Sequence, residues 1–166
     1  LVPVTKVLIA NRGEIACRVI RACRDMGIAT VAVFSECDRA ARHVRMADEA
    51  YPIGPNPPRE SYLKIDALIE VALVSGADAV HPGYGFLSEN ARFAQAVIDA
   101  GLTWVGPSPA AIRGIGDKLA AKRVVKEVGV PALEAVELTP QADALAAADR
   151  IGYPVLVRPS YVLGGR

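Results

Sequence analysis

A doubly wound α/β fold, with a parallel sheet and helices on both faces, is the architecture this sequence predicts. Three observations carry that expectation. Short apolar runs at residues 6–10, 30–34, 77–80 and 103–105 alternate with longer segments whose apolar residues recur at helical spacing. The first run, Lys-Val-Leu-Ile-Ala, is nearly continuous in apolar character, as in a strand covered on both faces. Glycines and prolines punctuate the junctions, among them Gly13, Gly27, Gly83 and Gly106.

Lys6 to Ala10 reads as the first strand, broken by Asn11-Arg12-Gly13. From Glu14 to Met26, Ile15, Val19, Ile20 and Cys23 form an apolar stripe, with Arg18, Arg21, Arg24 and Asp25 largely between them. Gly27 is the expected helix stop. Thr30 to Phe34 is the second strand, and a right-handed parallel crossover should join it to the first. A short helix is predicted over Asp38 to Ala47 and a short strand over Glu49 to Ile53. A proline-rich loop follows, then a helix over Ile65 to Leu73.

Ala77 to Val80 is the next strand, and it runs into the most informative stretch of the chain, His81-Pro82-Gly83-Tyr84-Gly85-Phe86-Leu87-Ser88-Glu89-Asn90. Two glycines within three positions permit backbone angles that other residues avoid. Ser88 and Asn90 are N-cap candidates for a helix over Arg92 to Ala100. A loop of this kind brings main-chain N–H groups near a small ligand, and open α/β sheets bind ligands beyond the carboxyl ends of their strands. Thr103 to Val105 completes the alternation.

Beyond Gly106 the pattern changes. Pro109 to Gly116 and Lys118 to Val128 read as helices with no strand between them. Thr139-Pro140 is the expected N-cap and first turn of a helix reaching about Ile151. Pro154 to Val157 reads as a strand entering a glycine loop at Gly164-Gly165. The division is therefore an α/β domain over 1–105, linking helices over 106–131, and the incomplete start of another domain over 132–166.

Composition narrows the function classes. The chain has 166 residues, 52% hydrophobic and 22% charged, with a net charge of +1. Such a balance supplies no electrostatic footprint for nucleic acid or an anionic membrane, and no apolar run approaches the roughly 20 residues needed to span a bilayer. Cys17, Cys23 and Cys37 have no metal-ligand spacing, so reduced thiols in a cytoplasmic protein are expected. No metal site is predicted in these residues. Asn11-Arg12-Gly13-Glu14 lacks the glycines of a dinucleotide fingerprint and reads, by itself, as a tight turn and helix start. Arg158, at the exit of the last predicted strand, and Gly164-Gly165 together suit phosphate binding by a guanidinium and backbone N–H groups, whereas Gly164-Gly165 alone reads as an ordinary surface hairpin. Lys118 alone reads as a solvated lysine.

In combination the motifs are far more specific. Asn11 to Arg18, Ala47-Asp48-Glu49-Ala50, Glu60-Ser61-Tyr62-Leu63, the His81-to-Asn90 loop, Gly106-Pro107-Ser108 and Gly116-Asp117-Lys118 occur in one order. That series resembles the N-terminal part of biotin carboxylases, the ATP-grasp subunit or domain of biotin-dependent acyl-CoA and pyruvate carboxylases. The resemblance implies a Rossmann-like pre-ATP-grasp domain, two linking helices and the start of an ATP-grasp lid. It implies ATP and bicarbonate as substrates, a carboxyphosphate-type intermediate, and carboxylation of biotin on a carrier protein that also serves a carboxyltransferase. Tyr84 and Gly85 would face biotin and bicarbonate, and Lys118 the nucleotide phosphates. Glu89 would order its loop. Magnesium ligands and the catalytic base would belong to a following domain, leaving these residues inactive alone. The helix bearing Arg18, Arg21 and Asp25 resembles the one these enzymes use to form homodimers.

The last 16 residues instead resemble the large subunit of carbamoyl phosphate synthetase, which uses arginine where carboxylases use lysine, and that likeness makes Arg158, with the Gly164-Gly165 loop, the expected nucleotide contact. A planar guanidinium and a point charge contact phosphate differently. A synthetase-like ligase using ammonia and a non-catalytic module are the two alternatives.

Overall fold

The computed structural model describes residues 3–116, 118–131, 133–139 and 143–157. The chain divides into two units, Leu1–Ile112 and Arg113–Arg166.

In the first unit, pleating of β1 (Lys6–Ile9) sends Val7 and Ile9 to one face and Leu8 to the other. Val7 and Ile9 pack with Ile15, Val19, Ile20 and Cys23 of α1 (Gly13–Asp25). Leu8 packs with Leu68 and Ala72 of α3 (Ile65–Val74) and with Phe93, Ala94 and Val97 of α4 (Ala91–Asp99). Burial on both faces is why Val7, Leu8 and Ile9 form an unbroken apolar run. The other strands are β2 (Ala29–Ser35), β3 (Glu49–Gly54), β4 (Ala79–His81) and β5 (Thr103–Trp104). All pairings are parallel, in the order β3-β2-β1-β4-β5. The chain builds outward from β1 through β2 to β3, then crosses to the other side of β1 for β4 and β5. The winding thus reverses between β1 and β4, the place where open sheets of this kind receive ligands.

Carboxylates tie down the amino ends of the strands. Asp78 accepts from the Thr5 amide at 2.8 Å and the Thr5 hydroxyl at 2.6 Å. Asp48 accepts from the amide and hydroxyl of Thr30 at 2.8 and 2.7 Å, and these bonds hold its carboxyl below the usual range. Gly27 stops α1 as the sequence predicts: at φ +70°, its amide donates to Arg24 O and the Ile28 amide to Cys23 O.

Three sequence expectations are corrected. The helix expected over Asp38 to Ala47 is a 3-10 turn, Glu36–Asp38, and a separate α2 (Arg42–Met46). The Asp38 carboxylate is held by tertiary partners, which fixes the turn where a local pattern would continue the helix. After α5 (Pro109–Gly116) and α6 (Lys118–Glu127), the helix expected from Thr139 is α7 (Ala144–Ile151), in the second unit. Its cap is Asp143, whose carboxylate accepts from the amides of Leu145 and Ala146 at 2.9 and 3.2 Å. Asp143 offers a carboxylate to two exposed amides, a stronger cap than the Thr139 hydroxyl. Pro140 lies outside the described residues. Pro154 to Val157 forms no strand: among the described residues no other segment supplies a ladder for it.

Candidate functional site

The site is built where β1 and β4 end. Their last main-chain rung runs from the Ala10 amide to His81 O at 2.9 Å. One residue on, Asn11 continues the connection with its side chain. Its Nδ2 donates to Pro82 O and to Tyr84 O, each at 2.8 Å, and its Oδ1 accepts from the Arg12 amide at 2.9 Å. Asn11 is 3% exposed. The imidazole of His81 points its Nδ1 at the Gly83 amide, 3.0 Å away, so Nδ1 accepts there. Burial holds this histidine below its ordinary pKa.

The turn above is open on its outer side. Tyr84 is 60% exposed, and its hydroxyl donates to Glu14 in the first turn of α1 at 3.3 Å. Gly85, at φ +68°, has no atom of the described residues beyond its chain neighbours within 4 Å of where a Cβ would stand. Farther along, the Ser88 amide donates to Gly85 O and the Asn90 amide to Leu87 O. Asn90 caps α4 by accepting from the amides of Arg92 and Phe93, both at 3.0 Å. Glu89, expected to order the loop, is exposed and bonds to nothing among the described residues. Asn11 and Asn90 hold the loop instead.

A second group of residues supports the turn from the β2 side. Phe86 stacks on Tyr62 with ring centroids 5.0 Å apart and planes 6° apart. The Arg12 guanidinium lies 5.4 Å from the Tyr62 ring centroid and 5.6 Å from that of Phe86, within cation–π range of both. Arg12 also pairs with Asp38 at 3.0 Å. Asp38 accepts in addition from the hydroxyls of Tyr62 at 2.7 Å and Ser35 at 3.1 Å. Burial pushes the Asp38 carboxyl up, but bonds from Tyr62, Arg12 and Ser35 outweigh it and hold it below the usual range. Burial and the bond to Asp38 push the Tyr62 phenol well up. With Phe86 at φ +41°, a strained angle for a side chain of that size, this stack is what keeps the turn's far end in place.

The structure thus brings Tyr84 and Gly85 together in one turn. Lys118 opens α6 in the second unit, and its side chain lies outside the described residues, as do Arg158, Gly164 and Gly165. Arg18, Arg21 and Asp25 are all exposed on α1. Cys17, Cys23 and Cys37 are free thiols. Among the described residues no group of three His, Cys, Asp or Glu side chains could hold a metal ion, and no helix is long and apolar enough to cross a membrane. Sequence reasoning missed Asn11, Arg12, Asp38 and Phe86 as parts of one frame. The signal available was that an amide and a cation directly follow a buried strand, at its carboxyl end.

Comparison with known proteins bears on what this frame serves. Residues 3–112 match the biotin carboxylase N-terminal domain, and residues 117–166 the ATP binding domain of the carbamoyl-phosphate synthase L chain. The chain is 54% identical to the mitochondrial methylcrotonoyl-CoA carboxylase subunit alpha of Oryza sativa subsp. japonica, over 98% of this chain and 22% of that one. It is 51% identical to the biotin carboxylase of Halalkalibacterium halodurans, over 96% of this chain and 36% of that one. Among solved structures, pyruvate carboxylase of Rhizobium etli with the allosteric activator acetyl coenzyme A aligns with a TM-score of 0.88 at 47% identity, covering 99% of this chain and 15% of that one. The biotin carboxylase domain dimer of Hydrogenobacter thermophilus 2-oxoglutarate carboxylase, in complex with MgADP, ADP and bicarbonate, aligns with a TM-score of 0.87 at 48% identity, covering 98% and 36%. The chain spans about a third or less of the length of these relatives and structures.

Proposed function

The chain belongs to the biotin carboxylase N-terminal domain family, and from that premise we propose that it forms the biotin- and bicarbonate-facing wall of a biotin-dependent carboxylase. The observation that carries this reading is the open turn at Tyr84 and Gly85, set on a buried frame at the point where the sheet's winding reverses. An exposed phenol beside an unobstructed glycine leaves room for a flat ureido ring and a small anion to approach the main chain. In the proposed reaction bicarbonate takes the γ-phosphoryl group of ATP as ADP leaves, and the carboxyl group then passes to a ureido nitrogen of carrier-held biotin as phosphate leaves and that nitrogen gives up its proton. A carboxyltransferase then consumes the product. Lys118, Arg158, Gly164 and Gly165 are the proposed nucleotide contacts. Magnesium ligands and the base are assigned to residues beyond these 166.

Two further assignments rest on the relatives. The exposed face of α1 with Arg18, Arg21 and Asp25 is the proposed homodimer contact, in line with the dimer described for the Hydrogenobacter domain. The cytoplasm is the proposed compartment; the mitochondrial relatives make that organelle the alternative.

The test uses a carboxylase polypeptide of the relatives' length that carries this sequence. Tyr84→Ala is expected to raise KM for free biotin about tenfold while KM for ATP stays within about twofold. A changed ATP constant with an unchanged biotin constant would refute the assignment of the turn. The 166 residues by themselves are expected to release no phosphate in response to bicarbonate, and such release would refute the need for a further domain. The match of residues 117–166 to the synthase favours a second reading, with ammonia as acceptor. Bicarbonate-dependent ATP cleavage stimulated by ammonia and not by biotin would select it.

A further inference from the structure

We infer that Asn11 is the positioning residue of the Tyr84–Gly85 turn. This rests on the reading of that turn as the biotin side of the site, and it adds a residue whose sequence context suggested only a tight turn and helix start.

The two N–H groups of the Asn11 amide meet two main-chain carbonyls, those of Pro82 and Tyr84, each 2.8 Å away. Carbonyl oxygens only accept, so the nitrogen end of the amide must face them. The oxygen end accepts from the Arg12 amide, which fixes the side chain on its own strand exit. No other side chain of this length offers two donors on one side and an acceptor on the other without a charge. Aspartate would set its lone pairs against both carbonyls. Serine is too short to span them and has a single donor.

The bonded carbonyls bracket Gly83. A Cβ on Gly83 would stand 2.8 Å from Asn11 Nδ2 and 3.0 Å from Ile15 Cγ1, so the amide fills the concave side of the turn. Tyr84 and Gly85 are thereby left on the convex, open side. The bonds lie just past the last rung between β1 and β4, so Asn11 carries the ladder one step beyond the sheet, across the point where the winding reverses. The amide is 3% exposed and all the bonds it makes are internal, so it acts through the turn and not on substrate.

The experiment compares Asn11→Asp and Asn11→Ser in two settings. In the 166-residue chain, hydrogen–deuterium exchange over residues 82–87 is expected to rise about tenfold in both variants, with α1 and α4 unchanged. In the longer carboxylase carrying this sequence, KM for biotin is expected to rise about tenfold while KM for ATP holds within about twofold, a split that partial unfolding would not produce. If Asn11→Asp fails to fold, Asn11→Ser carries both measurements, since it removes the bonds without adding a charge. Unchanged exchange over 82–87 overturns the inference. So does an unchanged biotin constant in the Asn11 variants when Tyr84→Ala raises it. If Tyr84→Ala leaves the biotin constant unchanged, it is the functional assignment of the turn that fails, and the positioning role for biotin falls with it.

Discussion

Gly83 and Gly85 share nearly the same backbone, φ +65° and +68°, yet stand in opposite surroundings. Alanine at either position meets the same left-handed strain, about 1 kcal/mol. At Gly85 nothing further opposes it, because apart from its chain neighbours no atom of the described residues lies within 4 Å of the new methyl. At Gly83 the methyl collides with Asn11 and Ile15, and overpacking of that kind costs a further 1–3 kcal/mol or so. Gly83→Ala is therefore expected to lower stability about 2–4 kcal/mol and Gly85→Ala only about 1 kcal/mol, read from urea unfolding midpoints. Equal costs would mean that the concave side of the turn is not filled as described.

Helix α4 shows how one residue can define an element. Asn90 satisfies two amides at its start, so Asn90→Ala is expected to cost about 1 kcal/mol and Asn90→Ser much less, by thermal or urea unfolding. Both the cap and the helix it starts were legible in the sequence, because a polar cap before an apolar stripe is a local signal. So were the glycine stop of α1 and the parallel alternation, which need only neighbouring residues. What escaped were long-range choices. Asp38 looked like part of a helix because its partners, Arg12 and Tyr62, are 26 and 24 residues away. The family resemblance points to Glu89, inside the loop, as its organiser, whereas Asn11, which bonds to it, is more than 70 residues distant. Pro154 to Val157 looked like a strand because an apolar run says nothing about whether a partner is present.

Acid sensitivity belongs to the first unit as a whole, and its sign follows from two histidines. His43 in α2 is 1% exposed, with Nε2 3.2 Å from Val33 O and a buried Nδ1 that has no hydrogen-bond partner among the described residues. Since the carbonyl only accepts, Nε2 carries the proton, and burial disfavours a second one on Nδ1. Burial lowers the pKa of His43 below 6.5, against smaller opposing effects of the Val33 bond and nearby Asp38, while Arg12 lowers it further. Burial lowers that of His81 as well. A depressed folded-state value means that the unfolded chain binds more protons in this range, so stability is full above about pH 6.5 and falls as the pH drops toward the folded values. Each histidine contributes a slope of at most about 1.4 kcal/mol per pH unit. The carboxylates Asp38 and Asp48, also depressed, add their loss only below about pH 4. His43→Leu is expected to lower the slope between pH 6.5 and 5 by about half, whatever it does to stability at pH 8. Urea midpoints measured across that range decide it: an unaltered slope would mean that His43 takes up a proton in the folded protein as readily as in the unfolded chain.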